Sequence, residues 1–289
     1  MRRPLRYSAK RMVSGFALLL VLDACGSSSE PSQPTNVAVQ SEAIIGGSTA
    51  AANAWPWSVT IYFGGQLQCG GSLIAPEWVL SVGHCLSHQP GSSYSVQLNT
   101  GTMVPASTVV FNPNFAYDGP ITGHSDVGLI RLAYPVTIGP GVNFIRPAVN
   151  GDAPGTNAVA IGWGYTDHFR KDLPSSLQQV TLPIVPSASC SAVNPARSTV
   201  YPDELCAGYQ DGSKGICFGD SGSALMVQRA SGTWEHVGMP SVVESLTISI
   251  FPTYCISYAV FSRTTAMVNW IRQYVPDPAW LPGLDLISM

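Results

Sequence analysis

The sequence predicts an all-β fold, and three observations lead to that prediction. Beyond residue 44 the chain consists of short apolar runs separated by turn residues, and the runs are rich in β-branched and aromatic side chains, as strands are. Glycine and proline, which favour turns, number 28 and 23. Charged residues make up only 11%, against roughly a quarter in an average globular protein. The regular spacing of the runs predicts a barrel or a sandwich.

The predicted strands follow one another along residues 44–275. In chain order they are WSVTIYF, WVLSV, SYSVQL, MVPASTVVF, VGLIRL, NAVAIGW, QQVTLPIV, EHVGM and YAVFS. One helix is predicted, over residues 264–275, because four apolar side chains there share one face and Pro276 follows them. These four side chains are Met267, Trp270, Ile271 and Val275.

The segments outside this region predict export. Residues 1–25 place basic side chains before the apolar run MVSGFALLLVL, which is the order of an export signal and is too short to span a bilayer. The run ends in LDAC, which resembles a lipoprotein box with Cys25 as the lipidated residue, although Asp23 is unusual there. Residues 26–43 are a Ser/Pro-rich tether or pro-segment. We therefore expect a protein that is secreted or membrane-anchored by a lipid at Cys25; the tail 276–289 has no assigned role.

Charge and cysteine content exclude several other classes. A net charge of -3 provides no basic surface for nucleic acid. If Cys25 is lipidated or removed, six of the seven cysteines remain, and an oxidising compartment allows three disulfides. Zinc is the alternative, but the chain has no CxxC pair, and only His84 adjoins a cysteine. No metal and no cofactor are expected.

The stretch CFGDSGSAL, residues 217–225, contains the candidate nucleophile Ser221. Gly, Asp and Ser are also ordinary turn residues, so the stretch alone does not decide between a turn and a reactive serine. A serine hydroxyl becomes a good nucleophile only when a base takes its proton and an acid orients that base. The function therefore depends on finding these two partners elsewhere.

Two further stretches provide the partners. His84 lies in VLSVGHCL, directly after an apolar strand. Asp126 lies in GHSDVGLIRL, where a carboxylate enters an apolar strand and would be costly to bury without a partner. An imidazole N–H is a suitable partner, because the acid fixes the tautomer of the ring and stabilises its protonated form.

With these residues the sequence resembles the trypsin/chymotrypsin-like serine peptidases. The matching stretches are IIGG at 44–47, CGGSLIAPEWVLSVGHC at 69–85, SDVGLIRL at 125–132, GWG at 162–164 and CAGYQDGSKGICFGDSG at 206–222. The resemblance implies two six-stranded antiparallel β-barrels with a C-terminal helix over residues 44–275, divided near residue 150. It also implies the disulfides Cys69–Cys85, Cys190–Cys206 and Cys217–Cys255.

The resemblance also implies a role for each matching residue. His84, Asp126 and Ser221 would form the catalytic triad, and the backbone N–H groups of Gly219 and Ser221 would form the oxyanion hole. Cleavage before Ile44 would activate the enzyme by pairing the new α-amino group with Asp220. The substrate pocket would be lined by Gly215, Ile216, Ser241, Val243 and Ala259.

The implied activity is that of an exported, monomeric serine endopeptidase acting on protein or peptide substrates. Gly215 occupies the position where a preference for Arg or Lys would need a carboxylate. Val243 and Ala259 would narrow the pocket, so we expect a preference for small or medium aliphatic residues. Two alternatives stay open on the sequence alone: a catalytically silent peptidase-like binding protein, and an esterase that uses the same acyl-transfer groups.

Overall fold

Two closed β-barrels form the structure, each made of six antiparallel strands, which confirms the fold class predicted from the sequence. The computed structural model describes residues 44–87, 91–115, 117–118, 121–122, 124–169, 173–193, 199–243, 245–248 and 251–275. The predicted export signal with Cys25, the tether up to residue 43 and the tail 276–289 lie outside the described residues.

The strands and helices have the following bounds. The strands of the first half are β1 (Ser48–Thr49), β2 (Ser58–Phe63), β3 (Gln66–Ala75), β4 (Trp78–Ser81), β5 (Tyr94–Leu98), β6 (Met103–Phe111), β7 (Tyr117–Asp118), β8 (Ile121–Thr122) and β9 (Gly128–Leu132). Those of the second half are β10 (Arg146–Pro147), β11 (Asn157–Gly162), β12 (Gln178–Val185), β13 (Glu204–Ala207), β14 (Leu225–Gln228), β15 (Trp234–Val242), β16 (Ser245–Ile248), β17 (Phe251–Tyr254) and β18 (Ala259–Arg263). The helices are α1 (Ser187–Val193) and α2 (Thr264–Ile271), with 3₁₀ helices at Gly83–Cys85 and Gly91–Ser93.

The first barrel closes in the order β2-β3-β4-β9-β6-β5. Its strand β5 shows why these residues form a barrel wall: Tyr94, Val96 and Leu98 are buried, whereas Ser95 and Gln97 between them are partly exposed. This period of two puts alternate side chains into the barrel interior. The hydrophobic alternation in the sequence therefore sets which side of the strand faces the core.

The second barrel has the order β12-β11-β14-β15-β18-β13, and β13 pairs back with β12 to close it. Strand β12 buries every second residue, among them Val180, Leu182 and Ile184. Strand β1 extends the sheet beside β12, and β10 pairs in parallel with β15. Ile44 is fully buried in the core of this second barrel.

The C-terminal helix is present where the sequence predicts one. Helix α2 ends at Ile271, and the chain continues as a turn in which the Val275 N–H donates to the Ile271 carbonyl at 3.0 Å. It buries Met267, Val268 and Ile271 against the core. Helix α1 was not predicted, because its sequence SASCSAV has no apolar face and buries only Cys190.

Three disulfides join Cys69 to Cys85, Cys190 to Cys206 and Cys217 to Cys255. They are the three pairs that the resemblance implies. Within the described part of the chain, none of the helices has the length and apolar character needed to cross a membrane.

Candidate active site

The first barrel presents His84 on the short 3₁₀ helix that follows β4. Cys85 is fully buried and bonded to Cys69 of β3, and its carbonyl accepts a hydrogen bond from the Tyr94 hydroxyl at 3.0 Å. The side chain of His84 itself is 17% exposed. A rigid backbone thus carries an imidazole that remains open to solvent on one side.

Asp126 lies next to His84, at the entry to β9, and is only 1% exposed. Its Oδ2 is 2.7 Å from His84 Nδ1, and its Oδ1 accepts the main-chain N–H of His84 at 2.8 Å. The Ser241 hydroxyl donates to Oδ2 at 2.6 Å. Three donors therefore surround this buried carboxylate, as an ionised acid needs.

The arrangement decides the tautomer of His84. Because an ionised carboxylate can only accept hydrogen bonds, Nδ1 of His84 carries the proton in this contact. The lone pair then lies on Nε2. The ring can consequently accept a proton at Nε2, on the side away from Asp126.

Ser221 is partly exposed in the loop between β13 and β14. Its carbonyl accepts the N–H of Gly70 from β3 at 2.8 Å, and the next N–H, that of Gly222, donates to Pro240 of β15 at 3.1 Å. Pro240 precedes Ser241, which is bonded to Asp126. These contacts tie the serine loop to β3 of the first barrel and to β15 of the second.

The glycines of this loop are required by its conformation and by close packing. Gly219 and Gly222 have φ values of 97° and 78°, a region that favours glycine. A Cβ on Gly222 would also lie 2.1 Å from Ser81 Oγ. The loop can therefore approach β4 closely, with no side chain at position 219.

Asp220 is fully buried beside Ser221. Its carboxylate accepts the N–H of Gly164 at 2.7 Å and that of Cys217 at 2.8 Å. Burial raises the pKa of Asp220 to about 7, and these two hydrogen bonds only partly oppose that effect. A Cβ on Gly164 would lie 2.6 Å from the carboxyl carbon, which explains a glycine there.

The residues predicted to line the pocket lie in the second half of the chain, and most are buried. Ile216 is 2% exposed, Ala259 4% and Ser241 9%, whereas Val243 is partly buried. A Cβ built on buried Gly215 would meet no atom within 4 Å. Empty space therefore adjoins Gly215, as the base of a pocket requires.

Sequence reasoning missed three residues that contact the Ser125–Asp126 segment. Ser241 was assigned to the pocket, but its hydroxyl donates to the Asp126 carboxylate, and the Ser262 hydroxyl donates to the Asp126 carbonyl at 2.6 Å. Asp203 accepts two hydrogen bonds from Ser125. The available signal was a serine within an otherwise apolar strand, because a buried hydroxyl needs a polar partner.

One group of potential metal ligands occurs among the described residues, formed by Cys69, His84 and Cys85. The two cysteines are joined in a disulfide, and Nδ1 of His84 faces Asp126. Metal binding by cysteine requires a free thiolate. This group therefore does not have the donors of a zinc site.

The double barrel, with a histidine–carboxylate pair beside a serine loop, defines the class of two-barrel serine hydrolases. The sequence model of the trypsin family matches residues 44–271, most of the chain, and the chain belongs to this family. Members of the family are serine endopeptidases that act on proteins or peptides, and so is this protein. Trypsin domains and disulfides are typical of extracellular proteins.

Proposed function

We propose that this endopeptidase cleaves peptide bonds through an acyl-enzyme on Ser221, with His84 as base and then acid and Asp126 as its orienting group. The observation that carries the proposal is the double hydrogen bond from His84 to Asp126, at 2.7 Å and 2.8 Å. This contact leaves the lone pair of His84 on Nε2. It also places a buried negative charge beside the ring, which stabilises the imidazolium formed when Nε2 takes a proton.

In the first half of the reaction, Ser221 Oγ forms a bond to the scissile carbonyl carbon and its proton passes to His84 Nε2. The carbonyl oxygen becomes an oxyanion, which the N–H groups of Gly219 and Ser221 stabilise. His84 then gives the proton to the leaving amine as the peptide C–N bond breaks. Water hydrolyses the ester by the same steps and restores Ser221.

Substitution tests this mechanism directly. Ser221→Ala and His84→Ala should each lower kcat by at least about a thousandfold, with the folded protein retained. Ser231→Ala, on an exposed turn, is the matched control and should leave kcat unchanged. Wild-type activity in Ser221→Ala would overturn the mechanism.

A labelling experiment provides a second test of the mechanism, and two of its outcomes would contradict the proposal. An organophosphonate that labels Ser221 covalently, together with cleavage of an unfolded protein, identifies a peptidase. Labelling with hydrolysis of esters but not of unfolded protein identifies an esterase. Absence of both labelling and turnover identifies a catalytically silent binding protein.

We also propose a preference for small or medium aliphatic residues at the position before the cleaved bond. Gly215 has no side chain, so it provides no carboxylate to pair with Arg or Lys in the space beside it. Val243 and Ala259 add side chains to the walls. A pocket of this kind distinguishes substrates by about 1–3 kcal/mol per methylene, so the preference is graded.

Maturation forms the last part of the proposal. Cleavage between residues 43 and 44 would create an α-ammonium group on Ile44, and buried Asp220 would be its counter-ion. Ile44 is fully buried and its neighbour Ile45 pairs with Gly215, which supports an ordered start of the domain at this residue. If Cys25 is lipidated after export, the same cut would release the enzyme from a membrane; N-terminal sequencing of the soluble active form should then begin at Ile44.

A further inference from the structure

Ser125, the residue before Asp126, has an unusual backbone conformation. Its φ is +60°, a left-handed region that costs free energy for any residue with a Cβ. It is also 8% exposed, and its carbonyl accepts the N–H of Val127 at 2.8 Å. The conformation sets the direction in which the chain passes through Asp126. Because it is strained, other contacts must stabilise the backbone of Ser125.

Asp203, from the second barrel, makes the contacts that hold it. One oxygen, Oδ2, accepts the main-chain N–H of Ser125 at 2.8 Å and its hydroxyl at 2.9 Å. The carbonyl of Asp203 accepts the N–H of Arg263 from β18 at 2.9 Å. The carboxylate is thus fixed by its own barrel and reaches the segment that carries Asp126.

Two serines of the second barrel also contact this segment, and both bond to Asp126 rather than to Ser125. Ser241 donates to the Asp126 carboxylate and Ser262 to the Asp126 carbonyl. Hydrogen bonds to an ionised acceptor are stronger than those between neutral groups. Of these three residues only Asp203 bonds to Ser125, and both of its bonds there are charge-assisted, so it is suited to maintain the strained conformation.

We propose that Asp203 is a positioning residue: its carboxylate holds Ser125 in the left-handed conformation and thereby directs Asp126 towards His84. This inference rests on the catalytic roles proposed above. Nothing in it requires Asp203 to touch substrate. Asp203 acts on the reaction only through Ser125 and Asp126.

The groups around Asp203 determine which variants are informative. His124 Nδ1 lies 3.9 Å from Asp203 Oδ2 and 3.2 Å from the Ser125 hydroxyl, and its ring packs at 5.0 Å from that of Tyr201. Substituting His124 would disturb all of these contacts. Variants of Asp203 and Ser125 isolate the proposed effect.

Four forms of the full chain test the proposal: Asp203→Ala, Asp203→Asn, Ser125→Gly and the double variant Asp203→Ala with Ser125→Gly. Asp203→Ala should lower kcat by about tenfold to a hundredfold with little change in KM, as expected when charge-assisted hydrogen bonds that set orientation are lost. Asp203→Asn keeps an acceptor oxygen but loses the charge, so it should lower kcat by about threefold to tenfold. Ser125→Gly removes the backbone strain, so the double variant should recover most of the lost kcat.

The pH profile of kcat separates positioning from a general loss of structure. A misdirected Asp126 stabilises the imidazolium less, so the acid limb of the profile should move to lower pH in Asp203→Ala and return in the double variant. Glu77→Gln makes the same chemical change as Asp203→Asn at a surface ion pair with Arg131, and it should change neither kcat nor the limb.

An unchanged kcat and acid limb in Asp203→Ala would overturn the proposal, as would a loss that glycine at position 125 does not repair. If Asp203→Ala does not fold, Asp203→Asn becomes the decisive variant. The proposal is then overturned if both the kcat and the acid limb of Asp203→Asn equal those of wild type. Ser221→Ala, measured in parallel, keeps the two proposals apart. If Ser221→Ala is inactive while the Asp203 variants behave as wild type, only the positioning role fails.

Discussion

The hydroxyl of Ser241 donates a 2.6 Å hydrogen bond to Oδ2 of Asp126, the same oxygen that lies 2.7 Å from His84 Nδ1. One carboxylate oxygen therefore receives a donor from each barrel. The bond from Ser241 limits rotation of the carboxylate and stabilises its charge in a buried place. The orientation of His84 thus depends on residues of both halves of the chain.

Replacing Ser241 by Ala should therefore reduce catalysis. Loss of a hydrogen bond to a charged group costs about 1.5–3 kcal/mol, which corresponds to about tenfold to a hundredfold in kcat/KM. Steady-state kinetics of the folded variant measure the effect. Ser262→Ala is the matched control, because it removes a bond to the Asp126 carbonyl and not to the carboxylate. It should lower the melting temperature and leave kcat/KM close to that of wild type. A Ser241→Ala variant within twofold of wild type would contradict this account.

Short-range patterns carried much of the sequence prediction. The alternation in SYSVQL identified β5, and the apolar runs before His84 and after Asp126 identified the strands that present them. The disulfide pairing came from resemblance to a family, since spacing alone leaves several pairings open. These features depend on residues that are close in sequence or fixed by the motifs.

The contacts that sequence reasoning missed join distant parts of the chain. Ser241 and Asp126 are 115 residues apart, and Asp203 and Ser125 are 78 apart. Nothing in the local pattern states which buried hydroxyl meets which carboxylate, because that depends on how the two barrels pack. Strands β16 and β17 pair with each other, and the sequence analysis did not predict either of them.

His236 makes the folded state sensitive to acid. It is fully buried, and burial lowers its pKa to about 3 from 6.5. A histidine whose folded pKa is lowered stabilises the fold above its unfolded pKa, and this contribution is lost as the pH falls from about 6.5 towards 3. Among the described atoms its Nε2 has no hydrogen-bond partner, while Nδ1 is 2.9 Å from the Thr264 hydroxyl.

His236→Leu should therefore reduce the loss of melting temperature between pH 7 and pH 4. Thermal unfolding at these two pH values and at pH 5 measures it. Thr264→Val removes the same hydrogen bond but keeps the imidazole, so it should retain the acid sensitivity of the wild type. An equal loss of melting temperature in wild type and His236→Leu would show that His236 is not the source.

In the chain not cut before Ile44, Asp220 should make the folded state less stable as the pH rises. This is opposite in sign to the effect of His236. Because burial raises its pKa from 3.8 to about 7, the folded state holds the proton more tightly than the unfolded state. The resulting stability is present below about pH 4 and is lost as the pH rises to about 7. In the chain that begins at Ile44, the new α-ammonium should stabilise the carboxylate and remove much of this loss.

Thermal unfolding from pH 4 to pH 8 of both forms, each carrying Ser221→Ala to prevent self-cleavage, tests this prediction. The cut form should gain melting temperature over the uncut form as the pH rises through this range. Asp220→Asn in the uncut chain is the control and should remove the decline. Identical pH dependence in the cut and uncut forms would argue against the Ile44–Asp220 ion pair.

Gly215→Asp should convert the specificity towards Arg and Lys. A Cβ at this buried position meets no atom within 4 Å, and the backbone φ there does not require glycine, so the fold should accept the side chain. A carboxylate in this space could pair with a cationic side chain, and charged hydrogen-bonded partners are worth about 1.5–3 kcal/mol. The ratio of kcat/KM for Arg-amide to that for Ala-amide substrates should therefore rise by at least about tenfold.

Gly139→Asp is the matched control, because its Cβ also meets nothing within 4 Å but the residue is exposed. Its ratio should equal that of wild type. If wild type already cleaves the Arg substrate faster than Ala and Val substrates, the proposed aliphatic preference is wrong. If Gly215→Asp leaves the ratio unchanged, Gly215 does not form the base of the pocket.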